Sequence, residues 1–424
     1  MAAPTLAYGD DALPVPAPFD AAPILDAPDL PPAADPESTW GAACAAAALR
    51  VAAALPPGAR LALVVPDRTR PLPLPRLLPP LLAALAAEKI EARRITIVPA
   101  SGIHAPMSRA ELAAWIGDDA ARCGALLDPH DADAPARRLG RTPGGIEVAA
   151  RPSVAGAGAV LVLGRIVFHY LAGFGGGRKM LVPGCAARRT ILAMHARCLD
   201  PRPGAGRHAA AVAGRLDGNP VHAASVAAAR LFPPSTAIHA LLTGDGRLAD
   251  AFAGDLFADH ERACARYAAA HRALVDGPLD AVFVSAGGRP TDRDLVQAHK
   301  ALEAVHGVVK DGGTVVFVAR CADGVGNREV EQALRLGSPA AIEAELRRDF
   351  RVGAHTALAL ALKTARVRTL AVSELSDELL GLAGMERASS LEEAARIVLE
   401  RHGAGARVAL APRGGAVLYD IKIP

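Results

Sequence analysis

The chain is poor in aromatic rings, in paired cysteines and in charge of one sign. Aromatics make up 4% of its 424 residues and the formal net charge is +3, with Lys and Arg scattered along its length. A basic face interleaved with rings is therefore not expected, which argues against nucleic acid as a partner. The six cysteines (Cys44, Cys123, Cys185, Cys198, Cys264, Cys321) include no Cys-x-x-Cys pair. That spacing excludes a disulfide framework or a zinc knuckle as the organising device. No apolar run reaches the roughly 18 residues of a spanning helix. The opening MAAPTLAYGDDALPVPAPFD has no basic segment before an apolar core, so a cytoplasmic protein without a membrane partner is expected. Also missing are a P-loop, an HExxH pair, and a G-x-G-x-x-G turn with an acidic residue about 20 positions on.

What the chain does have is apolar bulk. At 51% hydrophobic it can bury a sizeable core, and its length fits two or three domains. After a Pro- and Ala-rich arm with a short strand at TLAYG, a helix is expected from Trp40 to Ala54. Three apolar runs, RLALVV, RITIVPA and GAVLVLG, then read as buried strands, and each empties into a polar loop. Helical segments follow: Leu77 to Glu88, with Pro79 and Pro80 in its first turn; Ser108 to Arg122, with Ser108 and Glu111 as a capping box; and Arg188 to Cys198. In open parallel sheets ligands bind outside the carboxyl ends of the strands, so these three loops should converge.

A composition change at HRALVDGP, 271–278, opens a second series with strands LDAVFVS, GTVVFVA and RTLAVS, and a last strand RVALAP. Helices are expected at Leu295–Val308, Ile342–Phe350 and Leu391–Arg401. The predicted fold class is α/β: an N-terminal domain over 1–270 and a C-terminal domain over 271–424, each with a mainly parallel sheet flanked by helices.

The loops carry the chemistry. Asp67, Arg68, Thr69 and Arg70 put two guanidinium forks and a hydroxyl at a strand end, suited to a carboxylate or phosphate; a solvated turn capped by Asp67 accounts for them equally well. His104 alone is more often structural than catalytic. Gly175 to Gly177, before Arg178 and Lys179, can bring backbone N–H groups close to an anion, or form a plain surface turn. His195 alone reads first as a core histidine bonded to a carbonyl, and Lys300, one helical turn from Gln297, as part of a solvated face.

Together, DRTRP, SGIHAPMS, FHYLAGFGGGRKMLVPG with TILAMH, and SAGGRPTDRDLVQAHKAL occur in the order and at the separations of the nickel-pincer lactate racemase family, which this chain closely resembles over nearly its whole length. The resemblance implies a two-domain enzyme with its active site in the interdomain cleft. The cleft holds a nickel-pincer nucleotide (a pyridinium-3-thioamide-5-thiocarboxylic acid mononucleotide) carrying Ni(II) in an S–C–S pincer. One histidine, matched by His195, completes the square plane that Ni(II) favours. Lys179 matches the lysine that tethers the cofactor in some members. Thr69, Gly176, Gly177, Arg178 and Gln297 are the other expected cofactor-binding positions.

The reaction implied is inversion of a 2-hydroxy acid by reversible hydride transfer. His104 and His169 serve as the acid/base pair, Arg70 and Lys300 hold the substrate, and Asp67 orients Arg70 or a histidine. Two departures from the family pattern, Ala105 in place of Arg and Val296 in place of an aromatic, remove charge and bulk and imply a substrate larger than lactate. Enzymes that build the cofactor are the implied upstream partners. Two other readings stand beside this one: a non-catalytic binder of a phosphorylated pyridine compound, against which both retained histidines argue, and an NAD-dependent 2-hydroxy acid dehydrogenase, against which the missing dinucleotide turn argues.

Overall fold

The computed structural model describes residues 3–422. Contacts divide it into two compact units: residues 29–198 with 210–269, and the arm up to Pro28 with residues 199–209 and everything from Ala270 onward. The two-unit organisation differs from a single cut at residue 270. The arm packs with the later segment because its backbone is bonded there: the Ser285 hydroxyl donates to Ala7 O at 2.6 Å, Leu25 N donates to Leu410 O at 2.7 Å, and Leu410 N donates to Pro23 O at 2.9 Å.

The first unit follows from its apolar runs. Helix α1 (Pro36–Ala54) starts four residues before the expected Trp40, because Asp35 accepts from Ser38 N and Pro36 sits in the first turn, where its missing N–H costs nothing. Strands β1 (Leu61–Val65), β2 (Ile95–Pro99) and, later, β4 (Ala159–Arg165) are buried nearly end to end, as parallel strands covered on both faces must be. Helix α2 (Leu74–Ala87) lies between β1 and β2. Its prolines 79 and 80 are not in the first turn, as expected, but inside it. The helix begins a turn earlier, where Arg76 N and Leu77 N both donate to Pro73 O.

Helix α3 (Arg109–Ile116) has the expected capping box of Ser108 and Glu111. It does not run on to Arg122: Gly117 has φ +88°, and a Cβ there would meet Pro75 Cβ at 2.8 Å. Beyond it come β3 (Leu126–Leu127), β4, a one-turn helix α4 (Arg178–Leu181), α5 (Arg188–His195) and α6 (Pro220–Ala229). Strands β5 (Ser235–Leu242) and β6 (Leu248–Asp255) and helix α7 (Ala258–Ala270) close the unit. The sheet order is β6-β5-β4-β1-β2-β3, parallel except for the β5–β6 hairpin at one edge. Trp40, Val51, Leu78, Leu81 and Leu85 of α1 and α2 cover one face of β1 at Leu61, Leu63 and Val65. At about 25 cal/mol per Å² of apolar surface, each such side chain contributes on the order of 2 kcal/mol before chain entropy is counted.

The second unit is a five-stranded parallel sheet. Strands β7 (Leu279–Ser285), β8 (Val309–Val318), β9 (Arg368–Val372), β10 (Glu386–Arg387) and β11 (Val408–Ala411) take the order β10-β9-β8-β7-β11. Helix α8 (Leu295–Val305) follows β7. The expected helix over 342–350 runs instead over Pro339–Arg348, capped by Ser338, and a further helix, Val352–Arg366, fills a stretch that had no expected element. RVALAP is not the last strand: Leu418–Ile421 follows it and pairs in parallel with Arg272–Val275.

Candidate active site

Strands β4, β1 and β2 are neighbours in the first sheet, so the loops at their carboxyl ends lie side by side. These are the three loops singled out in the sequence.

The β1 loop is organised by Asp67. Its carboxylate is 3% exposed. One oxygen lies 2.6 Å from His104 Nδ1, on the β2 loop. The other accepts from Thr69 Oγ1 at 2.7 Å and Thr69 N at 3.2 Å, and stands 3.6 Å from an Arg70 nitrogen. Arg70 itself donates to Thr69 Oγ1 at 2.8 Å. Burial alone raises the Asp67 carboxyl, but the hydrogen bond and charge of His104, with Arg70 and Thr69, outweigh it and hold the group below the usual carboxylate range. An anionic Asp67 takes the Nδ1 proton of His104 as its hydrogen bond, so Nε2 is the basic nitrogen of that ring. Asp67 therefore orients both Arg70 and His104. Thr69 bonds within this network as well.

The β4 loop folds into a two-residue hairpin, Phe168–His169 with Gly173–Phe174. His169 Nδ1 accepts from Leu171 N and Ala172 N, both at 3.2 Å, so the neutral ring carries its proton on Nε2. The hairpin turns at Gly173, where φ is +77° and a Cβ would fall 2.2 Å from Arg215 O. Gly176 and Gly177 also have positive φ, and a side chain there would strike Arg165 O and the His260 ring respectively. Protein contacts alone require these two glycines. Arg178, expected at the cofactor, has its guanidinium committed inside the unit: one nitrogen donates to Ala172 O at 2.7 Å and another lies 2.8 Å from His260 Nε2.

Lys179 and His195 are the buried pair of the candidate site. Lys179 is buried, and the charges acting on it, Arg70 and Arg178, are both positive. Burial first, then those cations, push its amine well below the usual lysine range. His195 Nδ1 donates to Ile191 O at 2.9 Å within α5, which makes Nε2 the basic atom. Burial above all lowers the ring to about 4, so it is neutral near pH 7. Helix α5 is held in place by Thr190, whose hydroxyl donates to Glu147 O at 2.9 Å and accepts from Ala149 N at 3.0 Å.

In the second unit, Lys300 Nζ donates to Gln297 Oε1 at 2.6 Å across one turn of α8. Asp294 caps that helix by accepting from Gln297 N. Two groups at the same carboxyl edge of the first sheet escaped sequence reasoning. Asp128, just past β3, holds Arg151 and the Ser153 hydroxyl, and Arg165, the last residue of β4, is largely buried with no partner for its Nε. Their signal was position alone, since each closes a strand.

Among the described residues no three His, Cys, Asp or Glu side chains gather as a metal set, and no helix is long and apolar enough to cross a membrane. The fold and this edge define a two-unit α/β enzyme with an Asp-oriented histidine, a second histidine on a hairpin, and a buried lysine and histidine.

The lactate racemase N-terminal domain model matches residues 8–206 and the lactate racemase C-terminal domain model matches residues 275–419. The chain belongs to the lactate racemase family, and is an isomerase. It is 29% identical over 379 residues to the lactate racemase of Lactiplantibacillus plantarum, covering 84% of each chain. It is 29% identical over 268 residues to that of Thermoanaerobacterium thermosaccharolyticum, covering 63% of this chain and 61% of the relative. Its fold superposes on the lactate racemase apoprotein from T. thermosaccharolyticum with a TM-score of 0.87 at 24% identity, over 98% of this chain and 99% of that one. A Thermotoga maritima protein matches with a TM-score of 0.62 at 18% identity, over 92% and 99%.

Proposed function

We propose that this racemase inverts the hydroxyl-bearing carbon of a 2-hydroxy acid, using a nickel-pincer nucleotide. The observation that carries the reading is the pairing of a buried lysine, its amine pushed well below the usual lysine range, with a buried neutral histidine, beside two histidines whose ring nitrogens are bonded from behind. The residues fit such a group. Lys179 offers an amine that burial and neighbouring cations push toward its neutral form, the form a covalent tether requires, and His195 offers a neutral imidazole nitrogen, as a metal ligand must be. When bound, the nucleotide supplies a centre that takes the substrate's α-hydrogen with its electron pair and returns it.

The remaining work falls to the chain. An α-hydrogen beside a carboxylate is scarcely acidic, so the chain's task is the hydroxyl proton. His104 Nε2 takes that proton from one enantiomer, with the Asp67 anion stabilising the imidazolium that results. His169 serves the other enantiomer from its own side in the tautomer that frees Nε2, which requires its Nδ1 to give up the bonds from Leu171 N and Ala172 N. Arg70 holds the substrate carboxylate or the developing ketone oxygen, and its fixed charge lowers the barrier there. Each acid/base histidine is worth about 10²- to 10⁴-fold. Thr69, bonded to both Asp67 and Arg70, keeps the two in register.

The substrate reading goes further: Ala105 and Val296 leave room for a 2-hydroxy acid larger than lactate. The test is enantiomer interconversion by protein made alongside the cofactor-building enzymes, assayed without added NAD. Racemisation with bound nickel and a visible absorption band is expected. An NAD requirement, or binding of the nucleotide without turnover, overturns the reading. A kcat/KM that favours lactate over longer or aromatic analogues overturns the substrate claim alone.

A further inference from the structure

Behind the glycine loop, on residues the racemase chemistry does not use, the first unit contains a cavity of about 640 Å³ lined by Arg178, His222, Val226, Phe257 and His260 among others. One of its lining groups is a buried cation with no carboxylate in ion-pair contact; Glu261, on the same lining, acts on it only at longer range. The Arg178 side chain is 1% exposed, and no carboxylate of the described residues pairs with it; its bonds go to a carbonyl and a histidine.

That histidine bond is itself in conflict. His260 Nε2 lies 2.8 Å from the guanidinium and 2.9 Å from Gly175 O. An imidazole nitrogen either accepts or donates, so it cannot satisfy both. Protonating the ring does not help, because both nitrogens become donors beside a cation. Two further polar atoms have no partner: Arg178 Nε and His222 Nδ1 are both buried and unbonded. Arg178 acts on His222 electrostatically, which places the two cavity-lining groups together. A buried unpaired guanidinium with unsatisfied N–H groups costs several kcal/mol, a cost that an anion delivered through the cavity removes.

The walls say what else the anion carries. Leu216, Val226 and Phe257 are apolar, and the Arg230 guanidinium is stacked 4.6 Å from the Phe257 ring centroid. Asp217 and Glu261 also line the cavity and disfavour a second negative charge.

We propose that this cavity binds a small organic monocarboxylate, its carboxylate on Arg178 and His222 and its apolar body against Val226 and Phe257. The site is separate from the racemase centre and does not rest on the reading of it. It is joined to that centre mechanically, since Arg178 holds Ala172 O of the His169 hairpin and is followed directly by Lys179.

Benzoate is the probe, titrated calorimetrically into the full chain, with inorganic phosphate as comparison. Saturable benzoate binding is expected, with phosphate at least about tenfold weaker. Ala227→Trp, which fills the cavity from α6, and His222→Phe should each weaken benzoate at least about tenfold while the folded circular dichroism spectrum is kept. Lys179→Ala, in the racemase centre, should leave benzoate binding unchanged. The proposal is overturned by absence of benzoate binding to the wild-type chain, by equal affinity for phosphate, by binding that survives Ala227→Trp, or by binding lost in Lys179→Ala.

Discussion

Asp67 and Lys179 are both buried ionisable groups at one sheet edge, and the protein treats them oppositely. Around Asp67 it gathers His104, Thr69 and Arg70, so the charged form is held and handed to a histidine. Lys179 is buried with the cations Arg70 and Arg178 as the charges acting on it, so its charged form is disfavoured. In the proposed reaction the first arrangement stores a charge for proton transfer; the second pushes an amine toward its neutral form, beside the neutral imidazole of His195 proposed as the metal ligand. Burial alone does not fix a group's role. What decides it is whether a complementary charge is buried alongside.

The largest expected effect breaks the first half of that comparison. His104→Ala should lower kcat by about 10²- to 10⁴-fold with KM nearly unchanged; a KM effect alone would show that the ring only binds substrate. Asp67→Asn is next. The neutral amide cannot stabilise the imidazolium and favours the wrong tautomer, so kcat should fall about 10- to 100-fold and the acid limb of the pH profile should move to lower pH. An unchanged profile would remove Asp67 from the proton path.

Stability sharpens the comparison further. Because the folded-state pKa of Asp67 is depressed, its contribution is fully present above the ordinary carboxylate range and is lost as pH falls through the lowered value. The wild type should therefore exceed Asp67→Asn by about 1–2 kcal/mol near neutrality, with the gap closing in acid. A gap that persists in acid assigns the difference to packing. Smallest is the shift on the other side. The rate of Lys179 carbamylation by cyanate, followed by mass spectrometry, should reach half its maximum below the ordinary lysine range. A midpoint at or above that range contradicts the role given to burial.

The sequence made the three loops legible because strand runs such as LALVV and AVLVLG mark where chain emerges from a covered sheet. It also singled out His104, His169, Lys179 and His195, through their order and separations. It did not reveal the environment of each. That Arg178 turns inward to Ala172 O while its neighbour Lys179 joins the site depends on a one-turn helix following two positive-φ glycines. No local pattern encodes which way consecutive side chains then point. The arm's place with the second unit was hidden for a similar reason. Its bonds to Ser285 and Leu410 span most of the chain, and a cut read from composition sees only neighbours. The prolines of α2 misled because a proline marks a first turn only when no earlier turn is available.

The most direct test of the account is nickel retention by cofactor-loaded protein after gel filtration, comparing the wild type with His195→Ala and, as a control outside the site, His222→Ala. The account predicts that the wild type and His222→Ala keep nickel in proportion to protein and racemise, whereas His195→Ala loses both metal and turnover. Full nickel and undiminished racemisation in His195→Ala would contradict it.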